Sequence, residues 1–167
     1  MRPAATISVM KDVDTDSELT VRRADTADAV VLGELFLRAR RAAVPAIPAN
    51  VHTDTEVHQW MRDVVVARQE TWVVEDQGAP VAILALDGDE VDLLYVDPDR
   101  TGHGIGTRLL RLAQERRPIG LSLWAFQSNH GARRFYERHG FVAAEYTDGH
   151  GNEEQAPDVR YVWGDHD

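Results

Sequence analysis

Val96-Asp97-Pro98-Asp99-Arg100-Thr101-Gly102-His103-Gly104-Ile105-Gly106-Thr107 lies between a strand-like run, Glu90 to Val96, and a stretch reaching Arg116 in which Ile105, Leu109, Leu110 and Leu112 recur at helical spacing. A strand that enters a helix through three closely spaced glycines has a direct chemical reading. The first N–H groups of a helix have no partner within it, and the helix dipole is positive at that end, so an anion is stabilised there. Gly102, Gly104 and Gly106 remove side chains at every second position and permit the backbone angles that let successive N–H groups converge on a phosphate.

Two common phosphate loops fail on the same residues. A P-loop ends in Gly-Lys-Ser/Thr, whereas this segment ends Gly106-Thr107-Arg108. A dinucleotide fingerprint needs a further glycine at position 107, where Thr stands, and it follows the first strand of a parallel unit.

Upstream, three strand-like runs, Thr71 to Glu75, Pro80 to Leu86 and Glu90 to Val96, are separated by Gln77-Gly78 and Asp87-Gly88-Asp89, which predicts an antiparallel meander. Before it, Leu19 and Val21 suggest a short strand, Asp25 or Thr26 can cap a helix carrying Val30, Val31, Leu35 and Leu37 through Arg41, and Pro45 and Pro48 break that helix. Thr53 and Glu56 form a capping box for a second helix running to about Arg68. Downstream come a strand at Leu121 to Trp124, a short helix from Ala132 to Arg138 ended by Gly140, and strands at Phe141 to Tyr146 and Asp158 to Trp163. The order predicts a mixed α/β fold, a mostly antiparallel central sheet flanked by about four helices, with residues 1–17 as a flexible leader and 18–167 as one domain.

Composition narrows the classes. The 167-residue chain is 43% hydrophobic, enough for a core without metal or disulfide support. With no cysteine, a thiol nucleophile, a Cys-based zinc site and a disulfide framework are all excluded. A net charge of -10 without a Lys/Arg block argues against nucleic-acid binding, and an acidic field favours cationic partners such as amines. No apolar run approaches the roughly 20 residues of a membrane span and the start lacks a signal-peptide layout, so a cytoplasmic protein that does not bind a membrane is expected.

The loop resembles the central motif of the GNAT superfamily of N-acetyltransferases, Val-x-Pro-x-x-Arg/Gln-x-x-Gly-x-Gly. A downstream family motif is matched by Asn129, Ala132, Phe135-Tyr136 and Gly140-Phe141, in the family's order. The resemblance extends from Leu19 to Trp163 and implies acetyl-CoA as co-substrate, without metal. It implies that Leu94, Tyr95 and Val96 offer main-chain groups to the pantetheine arm where the sheet splays, that Gly102, His103, Gly104, Ile105, Gly106 and Thr107 hold the pyrophosphate, and that Asn129 bonds the arm. One departure is Thr101, where the family usually carries Arg or Gln, so Arg100 or Arg108 is expected to supply the side-chain contact.

Acyl transfer to an amine needs a neutral nucleophile, a donor for the carbonyl oxygen and an acid for the departing thiolate. The family places a tyrosine for the last role, which falls on Tyr136; taken alone, that residue reads as a core tyrosine with a satisfied hydroxyl. Asp92 is a candidate base, and its plain reading is a solvent-facing residue of an alternating strand. A glutamate that some members carry five residues before the Asn is Trp124 here. His52, in the Pro-rich loop, and Glu153 and Glu154, in the polar loop between the last strands, are candidates for contact with a cationic acceptor. His52 and His58 are too isolated from other ligand types to hold a metal.

The expected activity is acetyl transfer to a primary amine by direct attack, with a small-molecule amine as acceptor and a homodimer admitted. The alternatives are a protein N-terminus or lysine as acceptor, or a non-catalytic acyl-CoA sensor.

Overall fold

The computed structural model describes the backbone of residues 7–8 and residues 19–165. Most of the leader expected over 1–17 therefore lies outside the described residues, and Ile7–Ser8 form a short strand, β1, against Val21 and Thr20.

β3 (Glu70–Asp76), β4 (Ala79–Asp87) and β5 (Glu90–Val96) make the expected antiparallel meander. Its first turn places Gln77 and Gly78 at φ 50 and 81, the paired positive angles that match a two-residue hairpin to strand twist. β2 (Leu19–Arg23) pairs with β3 on one side. Beyond β5 lie β6 (Gly120–Phe126), β7 (Val142–Thr147) and β8 (Asp158–Gly164), and the eight strands order as β1-β2-β3-β4-β5-β6-β8-β7. β5 and β6 form the parallel neighbours, registered at one pair, Glu90 with Ser122, and Ser122 N donates to Asp89 O at 2.9 Å. Past that point the two strands diverge, because no further pair holds them together.

The alternation of the strands sorts their side chains onto two faces. Val73, Ile83 and Ala85 pack with Leu32, Leu35 and Phe36 of α1 (Ala29–Ala43) and with Val57 of α2 (Asp54–Trp60). Trp72, Leu84 and Leu86 pack with Leu109 and Leu110 of α3 (Ile105–Arg116) and with Leu121 and Tyr161. α4 (His130–Arg138) lies on that second side, with Phe135 and Tyr136 against the cluster.

Within α1 the buried stripe is Leu32, Leu35, Phe36 and Ala39, a spacing of three and four. Val30 and Val31, expected on the apolar face, are 62% and 43% exposed instead. At about 100° per residue Val30 falls roughly opposite Leu32, so a β-branched pair at the helix start says nothing about facing. The capping box forms as expected, with Thr53 N donating to Glu56 at 2.8 Å and Glu56 N donating back at 3.2 Å. Met61–Val66 then continues α2 as a π-helical segment that keeps Met61 and Val65 inside. No helix among the described residues is long and apolar enough to cross a membrane.

Glu70 ties the start of β3 to the end of α3. Its carboxylate accepts from Arg116 Nε and Nη2, both at 3.0 Å, and from Trp72 Nε1 at 3.0 Å. Burial raises its pKa, but the hydrogen bonds from Arg116 and Trp72 and the charges of Arg117 and Arg116 outweigh burial and lower it to about 2. A carboxylate depressed in the folded state stabilises above its unfolded pKa, and that stabilisation fades as pH falls toward the folded value. Glu70→Gln should therefore cost on the order of 1 kcal/mol at neutral pH, after allowance for solvent screening. Denaturant titration of both proteins should give a gap that is constant down to about pH 5 and shrinks below it. A gap independent of pH would show that Glu70 contributes through packing alone.

Candidate active site

The glycine loop is built from both ends. Asp97 Oδ1 accepts from Asp99 N at 3.0 Å and its other oxygen accepts from Arg38 Nη2 at 2.6 Å, fixing the turn Pro98–Arg100. Thr101 Oγ1 donates to Pro98 O at 3.2 Å, so the residue that departs from the family pattern closes the turn. Arg100 pairs with the buried Asp76. Gly102 and Gly104 adopt φ 82 and 78, left-handed angles that side chains disfavour, and a Cβ at either would meet open space. Gly104 caps α3, whose first intrahelical bond runs from Arg108 N to Gly104 O at 3.1 Å. The N–H groups of Ile105, Gly106 and Thr107 precede that bond. They line a groove of about 620 Å³ with Leu94, Val96, Arg100 and Arg138. Two guanidinium side chains, of which Arg100 is already paired with Asp76, beside helix-start N–H groups that have no intrahelical partner fit a pyrophosphate. His103 is not among the groove-lining residues, and Arg108, expected as an alternative contact, is likewise absent from its walls.

The gap between β5 and β6 forms a cleft of about 500 Å³ continuous in its lining with that groove through Leu94, Val96, Thr101, Ala132 and Tyr136. Ala85 pairs with Leu93 and Leu86 with Val91, so Asp92 is an extra residue on β5, a bulge. The bulge resets the alternation: Val91 packs on the α3 side, yet Leu93 packs on the α1 side. Asp92 is exposed and accepts from Gln69 Nε2 at 2.9 Å. Glu90, two residues earlier, is half-buried; burial raises its pKa, the charges of Asp92 and Asp87 add to the rise, and Arg160 opposes it.

Tyr136 faces the cleft from α4, half-buried among Phe135, Phe141 and Tyr161 at ring separations of 5.3, 5.8 and 6.2 Å. Among the described residues its hydroxyl makes no hydrogen bond, unusual for a tyrosine held in a packed environment. Burial pushes its phenol well above the ordinary tyrosine value, and Tyr95 adds to the rise. The side chain stays protonated and is a spare donor. Asn129 lines the same cleft while its side-chain oxygen caps α4, accepting from Ala132 N at 3.3 Å.

On the other side of β5 a cavity of about 560 Å³ is walled by Phe36, Trp60, Asp92, Tyr95, Trp124 and Phe126, with His52, Glu153, Glu154 and Arg40 at its rim and flank. Both candidate acids are already paired. His52 Nε2 meets Glu153 Oε2 at 2.6 Å, and Arg40 Nη2 donates to Glu154 Oε1 at 3.4 Å. These contacts join α1 and the segment after it to the β7–β8 loop. The hydrogen bond and charge of Glu153 raise the His52 pKa, with a smaller contribution from Glu56.

The fold thus brings together the strand, glycine, Asn129 and Tyr136 positions expected from the sequence, and gathers His52, Glu153 and Glu154 in a separate cavity. Trp124 and Phe126, on β6, and Arg40, on α1, went unrecognised as wall residues. The pair of acids Glu90 and Asp92 on one strand was the available signal for Glu90.

The model of the acetyltransferase (GNAT) domain matches residues 67–143. A curated relative, peptidyl-lysine N-acetyltransferase YiaC of Escherichia coli, is 30% identical over 122 residues that span 72% of this chain and 82% of the relative. Among solved structures, apo YjaB of Escherichia coli superposes with a TM-score of 0.70 at 23% identity, covering 88% of this chain and 99% of that one. An N-acetyltransferase, PaiA of Thermoplasma acidophilum in complex with coenzyme A, gives 0.65 at 17% identity over 88% and 99%. The fold and the loop define an N-acyltransferase, and the chain belongs to the GNAT superfamily of N-acetyltransferases. It is an acetyltransferase.

Proposed function

We propose that the chain moves acetyl from acetyl-CoA to a primary amine by direct attack, with a small-molecule amine as acceptor. The carrying observation is that the cofactor cleft and the aromatic cavity share Asp92, Tyr95, Trp124 and Phe126, so the ends of two binding spaces meet beside the bulge. In this reading the backbone of Ile105 to Thr107 holds the pyrophosphate, β5 from Leu94 to Val96 pairs with the pantetheine arm, and Asn129 uses its amide nitrogen on the same arm. Acetyl-CoA supplies the activated thioester carbonyl.

Asp92, the un-neutralised carboxylate at the shared wall, takes the proton of the incoming ammonium directly or through water, with Glu90 keeping the local field negative. The amine nitrogen then bonds to the acetyl carbon, the carbon–sulfur bond breaks with its electron pair on sulfur, Tyr136 delivers its proton to that sulfur, and the proton shed by the new amide nitrogen passes through water to restore the phenol. The paired contacts His52–Glu153 and Arg40–Glu154 favour a small acceptor, since they bridge two walls of the aromatic cavity. The second reading, a peptidyl lysine, is favoured by the name of the 30%-identical relative.

Release of coenzyme A thiol, followed with a panel of small primary amines and lysine-containing peptides, separates these. Small amines should give the higher kcat/KM, and Asp92→Asn should lower it by about 100-fold or more. Preference for the peptides would replace the small-molecule reading with the peptidyl one. Tight acetyl-CoA binding with no release on any acceptor would leave only a sensor.

A further inference from the structure

Arg40 is an arginine on the buried side of α1, its side chain 9% exposed, on the wall of the aromatic cavity. A guanidinium taken out of water is costly unless its charge and donors are matched. Here they are under-matched. Nη2 reaches Pro48 O at 3.2 Å and Glu154 Oε1 at 3.4 Å, Cζ lies 6.0 Å from the Phe126 ring centre, and the buried Nε has no partner. Among the described residues Nη1 makes no hydrogen bond either. Charge-assisted contacts of this type normally close to about 2.7–2.9 Å, and Arg41 with Asp54, one residue along, does so at 2.6 Å.

The remaining charges on the cavity wall define the missing partner. Glu153 is taken by His52, and Glu154 sits loosely on Arg40 from the β7–β8 loop. Glu56 also lies beside His52, so among the described residues Asp92, bonded to the neutral amide of Gln69, is the carboxylate on this wall without a cationic partner. The cavity therefore presents an anion at the shared wall with the cofactor cleft and an under-satisfied cation on its flank. An acceptor with one ammonium and one carboxylate complements both.

We propose that Arg40 binds the carboxylate of the acceptor, which makes the acceptor class a free amino acid, with its amine toward Asp92 and its carboxylate on the guanidinium. Glu154 occupies the carboxylate position when no acceptor is bound and gives way to it. The assignment rests on the acetyltransfer reading for the amine end, and on Arg40 alone for the acid end.

The test uses matched pairs, each standard amino acid against its own carboxamide, which differ only in the anionic group. Binding to the coenzyme A-loaded protein is measured by calorimetry, and thiol release is measured separately with acetyl-CoA. At least one amino acid should bind about 10-fold or more tighter than its amide, as expected for a charge-assisted bidentate contact. Arg40→Met should bring that acid-to-amide ratio to about one, and Glu154→Gln, which removes the competing carboxylate and keeps the guanidinium, should raise it several-fold.

Circular dichroism melting shows whether Arg40→Met folds; if it does not, Glu154→Gln decides. Ratios at or below one for every pair, a folded Arg40→Met that keeps the wild-type ratio, or, where that variant does not fold, a ratio that Glu154→Gln leaves unmoved, overturn the proposal. Preferential binding of the acid with no thiol release would retain the carboxylate site and remove the acetyltransfer reading. Thiol release as fast with amides as with acids would do the reverse.

Discussion

Tyr136→Phe should slow thiol release at saturating substrates by about 100- to 10,000-fold, the range that a positioned general acid contributes. KM for acetyl-CoA should stay within a few-fold, because the ring that packs on Phe135 and Phe141 is retained. The variant should also keep its melting temperature, since the hydroxyl makes no hydrogen bond among the described residues and its removal leaves no partner stranded. That combination separates a chemical role from a structural one. The raised phenol pKa adds a pH signature. Tyr136 stays protonated through the alkaline range of an ordinary assay, so any fall in the wild-type rate toward about pH 9 must come from another group. The acidic limb should follow the carboxylates and the acceptor ammonium, and the Phe variant should keep its shape at a lower height. An unchanged kcat would remove Tyr136 as the proton donor and turn attention to water in the cleft.

Legibility tracked how local each decision was. The meander, the Thr53 capping box and the start of α3 were readable because turn residues and caps act over two to four positions, and the structure has them all. The position of β8 between β6 and β7 was not readable, since that pairing joins segments far apart in the chain and is settled by packing. Asp92 is the instructive intermediate case. Its alternation with Val91 and Leu93 reads as an unbroken strand with a solvent-facing acid, whereas the register slip against β4 makes it a bulge. Asp92 lines the cleft, and it does so through a pairing irregularity that no single-strand pattern carries. Arg40 escaped notice for a related reason. The second of the three arginines in Arg38-Ala39-Arg40-Arg41 carries no mark of its own in the sequence, and only the rotation of α1 shows that Arg40 turns inward while Arg38 and Arg41 stay out.

The glycine loop admits a sharper experiment than its deletion. Gly104→Val places a β-branched side chain at φ 78, at a strain of about 1–2 kcal/mol, and fills the open space above the first turn of α3. If that space is the pyrophosphate cradle, coenzyme A affinity should fall about 100-fold or more, equivalent to about 2.7 kcal/mol. Strain alone can also weaken a ligand indirectly, so a matched control is needed. Gly88→Val, in the β4–β5 turn, also has positive φ, 58, and open space around its Cβ, yet it sits at the other end of β5 from the loop. It should lower stability by a comparable amount and leave coenzyme A binding within about twofold. Calorimetric titration with coenzyme A and denaturant melts of both variants give the four numbers required. Equal losses of affinity in the two would mean that the glycines serve the fold alone. A loss confined to Gly104→Val ties the anion grip to backbone N–H groups, which is where Thr101, engaged with Pro98 O in place of the family's longer side chain, leaves it.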